Sequence, residues 1–133
     1  MPSPMLHVKI LMAEDNDLNA EIAQVQLEER GMQVTRAADG KEAVEVFTNH
    51  PAGTFDIILM DVMMPEMNGY EATKAIRSLD GRPDGHMIPI IAMTANAFAE
   101  DVQASLDAGM NGHLSKPIVM DELVKTIARN LNR

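Results

Sequence analysis

Five short apolar runs, each followed by a stretch of helical periodicity, constrain this chain more than any other feature. Residues 8–13 read as a first strand, Gln33–Ala37 as a second, 57–60 as a third, 88–93 as a fourth and 113–115 as a short fifth. The third run, Ile57-Ile58-Leu59-Met60, is apolar throughout, as befits a strand covered on both faces of a parallel sheet. The second is half polar, which places it near a sheet edge. Leu18, Ile22 and Val25 fall at helical spacing, with Gly31 as the stop after that helix. Asp39-Gly40-Lys41-Glu42 has the spacing of a capping box and opens a helix through Val44 and Phe47. Asn68-Gly69 reads as a turn ahead of a third helix over 70–79, and 80–86 as a loop holding Gly, Pro and Asp. Phe98, Val102 and Leu106 mark a fourth helix ended by Gly109; Leu123, Val124, Ile127 and Leu131 mark the last. Strands alternating with helices predict a parallel sheet covered on both faces. Right-handed crossovers then leave an α/β, doubly wound, five-stranded sheet, expected in the order 2-1-3-4-5.

The chain has 133 residues, the size of one domain. Residues 1–7 read as a tether and 8–133 as the domain. With 46% hydrophobic residues the chain is no disordered acidic tail, and without cysteine it has no disulfide or thiolate chemistry. A net charge of −9 argues against a nucleic-acid surface, which needs clustered cations, and leaves room for a bound cation. No apolar run is long enough to cross a membrane, and Met1-Pro2-Ser3-Pro4 does not resemble a secretory leader, so a cytoplasmic location without membrane contact is expected.

In a doubly wound sheet, ligands sit beyond the carboxyl ends of the strands, at the point where strand order reverses. That rule nominates Glu14 and Asp15 after the first strand, Asp61 after the third, Thr94 after the fourth and Lys116 after the fifth. Three converging carboxylates repel unless a cation intervenes, and an oxygen-rich site with room for water suits Mg²⁺. Beside such a cation Asp61 stays ionised and can serve as a nucleophile toward phosphorus. Lys116 would add positive charge, while Thr94 and a backbone N–H near Ala95 would donate to phosphoryl oxygens. Each residue also has a plainer use. Asp15 or Asn16 equally fits a helix cap, Thr94 another cap, Asp61 a polar strand end, and Lys116 a solvated surface charge. Four strands each delivering the required group at one edge is what favours the site.

Other chemistries find less support. His7, His50, His86 and His113 lack metal-ligand spacing, and no glycine-rich nucleotide motif is present. Met60, Met63, Met64 and Met67 read as packing and loop residues. A flavin carrier on this fold would want a Ser/Thr-rich loop after the first strand and flanking aromatics, both missing here.

Ala13-Glu14-Asp15-Asn16, the run Ile58 through Gly69 around Asp61, Ala92-Met93-Thr94-Ala95 and Gly112-His113-Leu114-Ser115-Lys116-Pro117 together resemble the receiver domain of two-component response regulators. Finer details of 93–97 and 109–113 are similar to receivers of hybrid sensor histidine kinases. The resemblance implies a flavodoxin-like (βα)5 fold and a phosphorelay switch rather than an enzyme in its own right. It implies that Asp61 takes a phosphoryl group from a phosphohistidine of a histidine kinase or histidine phosphotransfer domain. Glu14, Asp15, Asp61 and the backbone carbonyl of Met63 would hold Mg²⁺. Thr94 and Lys116 would contact the phosphoryl oxygens, and the Lys116–Pro117 bond would be cis. Met63 and Asn96 sit where the family tunes phosphoryl lifetime. The face formed by the fourth helix, fifth strand and last helix would move, serving a partner or a homodimer. His113 departs from the Tyr or Phe common at the switch position. Imidazole is smaller and ionises near neutral pH, so a weaker inward state at low pH is expected. The alternative is a Mg²⁺-dependent phosphatase with an aspartyl-phosphate intermediate. Such enzymes want a second Asp two residues after the nucleophile, where this chain has Met63.

Overall fold

The computed structural model describes residues 7–95 and 99–131. Most of the expected tether, together with Asn96 and Phe98, lies outside the described residues. The strands are β1 (Lys9–Ala13), β2 (Gln33–Ala37), β3 (Ile57–Asp61), β4 (Ile90–Thr94) and β5 (Gly112–Ser115). The helices are α1 (Asp17–Glu29), α2 (Gly40–Asn49), α3 (Gly69–Arg77), α4 (Pro83–Met87), α5 (Ala99–Ala108) and α6 (Met120–Leu131). All strand pairs are parallel and the sheet order is β2-β1-β3-β4-β5, as the crossover argument expects. None of the described helices is long and apolar enough to cross a membrane.

Strand alternation divides the core in two. Leu11, Ala13, Ile58, Met60, Ile90 and Ala92 face the side of Phe47, Ala72 and Ile76 from α2 and α3. Ile10, Met12, Ile57, Leu59, Ile91 and Met93 face Ala20 and Leu27 of α1 and Leu123 and Ile127 of α6. β3 and β4 are buried at every position, and β2 forms one edge.

Two local expectations change. From Pro83 the expected 80–86 loop becomes α4, which runs on to Met87; Pro83 sits in its first turn, where a missing N–H costs nothing. Asn68-Gly69 is a helix start rather than a free turn. The Asn68 side chain accepts from Glu71 N–H while Glu71 reaches back to Asn68 N–H, a complete capping box. At α2 Asp39 accepts from Glu42 N–H at 2.7 Å. In α1 the residues at helical spacing do not face the core. Leu18, Ile22 and Val25 are 64%, 49% and 48% exposed, so the stripe that announces the helix is not its core face. Leu106 of α5 is exposed in the same way. Small Ala20 and Ala23 let α1 approach the sheet instead.

Candidate functional site

Strand register brings the carboxyl ends level. Ala13 lies opposite Met60, Asp61 opposite Met93 and Thr94 opposite Ser115. Glu14, Asp61, Thr94 and Lys116 therefore meet at one sheet edge, as the strand-end rule anticipates. The loop around Asp61 is tight. A Cβ on Gly69 would strike the Asp61 carbonyl, and one on Gly40 would strike the Met67 carbonyl. Only glycine lets α3 and α2 start this close to β3's end. Met63 N–H donates to Asp61 Oδ1 at 3.2 Å, which ties the following loop to that carboxylate.

Glu14 and Asp61 are buried, at 4% and 3% exposure. Lys116 Nζ donates to Glu14 Oε2 at 3.1 Å and to Asp61 Oδ2 at 2.9 Å. Asn16, not Asp15, caps α1, its Oδ1 accepting from Asn19 N–H at 2.9 Å. That leaves Asp15 exposed beside the other acids. Carboxylate oxygens of Glu14, Asp15 and Asp61 all lie within 4.8 Å of one another. Burial pushes the Asp61 pKa up; Lys116 and Met63 N–H oppose this, and the Glu14 charge adds to it. Burial also disfavours charge on Lys116, but the two carboxylates outweigh it and hold the ammonium above its ordinary range. Three acids that gather an ammonium between two of them form a donor set of oxygens fit for a hard cation.

Thr94 is buried, and its carbonyl accepts Lys116 N–H at 2.7 Å, coupling the end of β4 to the loop after β5. The Lys116–Pro117 bond is cis. His113 is exposed on β5, opposite Ala92. Met63 is 73% exposed at the rim. A cleft of about 490 Å³ runs between α1 and the β5–α6 connection, with Ile22, Ala23, Met93 and Ile118 beside Glu14 and Lys116 in its lining.

One residue at this edge escapes sequence reasoning. Arg36, on β2, donates through Nε and Nη2 to the Glu14 carbonyl at 3.0 and 2.7 Å. Its Nη1 meets Asp17 Oδ1 at 2.8 Å. An arginine on a half-polar edge strand carries no sequence signal of a backbone partner.

The fold and site together make a doubly wound parallel sheet with an acidic, lysine-bridged edge at the carboxyl ends of its strands. The response regulator receiver domain model matches residues 10–128, and the chain belongs to that family. It is 41% identical over 118 residues to hybrid signal transduction histidine kinase I of Dictyostelium discoideum. That match takes in 87% of this chain but only 7% of the relative's length. Among solved structures, it is similar to the receiver domain of the Pseudomonas aeruginosa PAO1 sensor histidine kinase PA1611, which carries a magnesium ion in its active-site cleft. There the TM-score is 0.84 and the identity 38%, over 96% of this chain and 99% of that one. The Saccharomyces cerevisiae receiver domain of Ssk1, crystallised with the histidine phosphotransfer protein Ypd1, comes from a further similar structure. Its match has a TM-score of 0.81 and 28% identity, over 95% of this chain and 90% of that one.

Proposed function

We propose that this receiver domain takes a phosphoryl group onto Asp61 from a phosphohistidine of a histidine kinase or histidine phosphotransfer protein. The observation that carries this is the buried Asp61 carboxylate, bridged by Lys116 to Glu14 with Asp15 alongside. Asp61 Oδ forms a bond to phosphorus as the phosphorus–nitrogen bond to the donor imidazole breaks; the leaving nitrogen keeps the electron pair and is protonated. Glu14, Asp15, Asp61 and the Met63 backbone carbonyl would hold Mg²⁺, which would supply positive charge against the phosphoryl oxygens. Lys116 donates to one phosphoryl oxygen and the Thr94 hydroxyl to another. Transfer of Thr94 and Lys116 to the phosphoryl group biases a two-state equilibrium that repositions the α5–β5–α6 face, with His113 at its centre. That face is the output surface, toward a partner or a second copy. Met63 and Asn96 set how readily water reaches the phosphoryl group. The phosphatase alternative gains nothing, because the position it needs for a second acid holds Met63.

The donor has its own surface. Asp61 is too buried to be reached without close contact at the rim. Leu18, Ile22 and Val25 form an exposed apolar stripe, and Ile22 also lines the cleft that reaches Glu14 and Lys116. A helical donor packed on α1 would set its phosphohistidine over the site.

The test is intact mass after incubation with Mg²⁺ and either acetyl phosphate or phosphoramidate. A gain of one phosphoryl group, lost in Asp61→Asn, is expected. No gain with either donor in the unsubstituted chain would overturn the reading.

A further inference from the structure

We infer that Arg36 is a positioning residue for the cation site, acting through the peptide that joins Glu14 to Asp15. The inference rests on the reading of Glu14, Asp15 and Asp61 as a Mg²⁺ site. The carbonyl that Arg36 grips belongs to that peptide, and two guanidinium nitrogens hold it, at 3.0 and 2.7 Å. The other end of Glu14 is fixed as well, its N–H donating to the Ala37 carbonyl at 3.0 Å. Both anchors come from the last two residues of β2, so the edge strand holds the β1–α1 loop on two sides.

The two acids depend on this hold to different degrees. The Glu14 carboxylate has partners of its own, Asn16 N–H at 3.2 Å and Lys116 at 3.1 Å. Among the described residues no hydrogen bond holds the Asp15 carboxylate. Where it points is set by its backbone, and hence by the plane of the peptide that Arg36 fixes. The guanidinium Nη1 also meets Asp17 Oδ1 at 2.8 Å, so one side chain spans the loop from Glu14 to the first residue of α1. A planar fork can make these contacts together; a lysine ammonium, a point donor on a flexible stem, cannot reproduce the geometry. Outer groups that orient metal ligands change metal affinity by about 10- to 100-fold when lost.

Charge and position predict opposite signs here. A guanidinium on the β1–α1 loop that carries Glu14 and Asp15 repels an incoming cation, so by charge alone its removal tightens Mg²⁺ binding. By position, its removal weakens binding, because Asp15 loses its direction. A third possibility, a simple staple between β2 and α1, predicts lower thermal stability with Mg²⁺ affinity unchanged.

The experiment compares the unsubstituted chain with Arg36→Lys and Arg36→Met. Mg²⁺ is titrated while amide resonances of residues 14–16 are followed, and Tm is measured alongside. Weakening of about tenfold is expected in both variants, with Arg36→Lys losing affinity although its charge is kept. Unsubstituted affinity in Arg36→Lys overturns the inference, whatever happens to Tm. So does tighter binding in Arg36→Met. If the unsubstituted chain itself shows no Mg²⁺-dependent shifts at 14–16, the site reading fails and takes the inference with it. If it binds and the variants bind equally well, the inference alone fails.

Discussion

The guanidinium groups of Arg77 and Arg82 are held in opposite ways. Arg82 makes a two-bonded fork with Asp84, Nε to Oδ1 and Nη2 to Oδ2, both at 3.0 Å. It also lies 4.7 Å over the Phe47 ring and donates to the Thr48 carbonyl, joining α4 to the end of α2. Among the described residues no carboxylate enters the Arg77 fork. It donates to the carbonyls of Gly109 and Gly85 and to Asn111 Oδ1, and burial pushes its pKa down. Their contributions to stability differ with pH. The Arg82 fork holds the Asp84 carboxyl below its ordinary 3.8. A carboxyl depressed in the folded state binds protons more readily when unfolded. Its contribution is therefore present above the unfolded value and is lost as pH falls through the lower, folded one. Denaturation midpoints measured from pH 6 down to pH 2.5 should fall less steeply below about pH 4 in Asp84→Asn. Parallel curves for the two proteins would show that the pair contributes nothing. The Arg77 contacts, made to neutral acceptors, should add no such slope. Legibility also divides at this scale. Lys116 can be read from the sequence because it follows a strand at the functional edge. Arg36 and Arg77 cannot, because their main partners are backbone carbonyls and any residue can supply one.

Helical spacing announces that α1 exists without saying which face is buried. Leu18, Ile22 and Val25 have the right interval, yet the helix seats itself through Ala20, Ala23 and Leu27. Small side chains permit close approach to a sheet, so the more apolar stripe is free to serve another purpose. By contrast β3 is legible outright and β4 is legible except for its ends, which lie at Ile90 and Thr94 rather than at 88 and 93, because a strand covered on both faces has no polar alternation to misread. The short α4 was not, since Gly, Pro and Asp mark both loops and helix starts. The exposed stripe yields an expectation about partners. Leu18→Ser and Ile22→Ser should each change stability by no more than about 0.5 kcal/mol, since neither side chain belongs to the core. Uptake of a phosphoryl group from acetyl phosphate should be unaffected. Transfer from a phosphorylated histidine phosphotransfer protein that serves the unsubstituted chain should slow. Equal transfer rates would move the donor surface away from α1, and equal slowing with acetyl phosphate would place the defect in the site itself.

Across the whole molecule, the net charge of −9 has a local part where three acids share one edge. Folding brings Glu14 and Asp61 out of water together, and Lys116 is the cation the chain supplies for them. The same ammonium occupies ground that the proposed divalent ion would share, so folding stability and cation binding would be linked through one residue. Lys116→Met should lower stability without Mg²⁺, because two buried carboxylates lose a charged donor; a cost of about 1–3 kcal/mol is the expected scale. A ligand that binds only the folded state adds stability with concentration, about 2.7 kcal/mol at a hundredfold excess over its Kd. In the unsubstituted chain part of that gain would be offset, because the proposed ion would enter beside an ammonium already paired with the acids. In Lys116→Met the offset is absent and the acids are wholly unneutralised. The stability gap between the two proteins should therefore narrow as Mg²⁺ is added. Sodium chloride at matched ionic strength should not close it to the same extent, because screening acts weakly on buried charges. Denaturation midpoints across a Mg²⁺ series, with the sodium series beside it, decide the matter. A gap that stays constant with Mg²⁺ would mean that Lys116 and the ion do not compete for the same carboxylates.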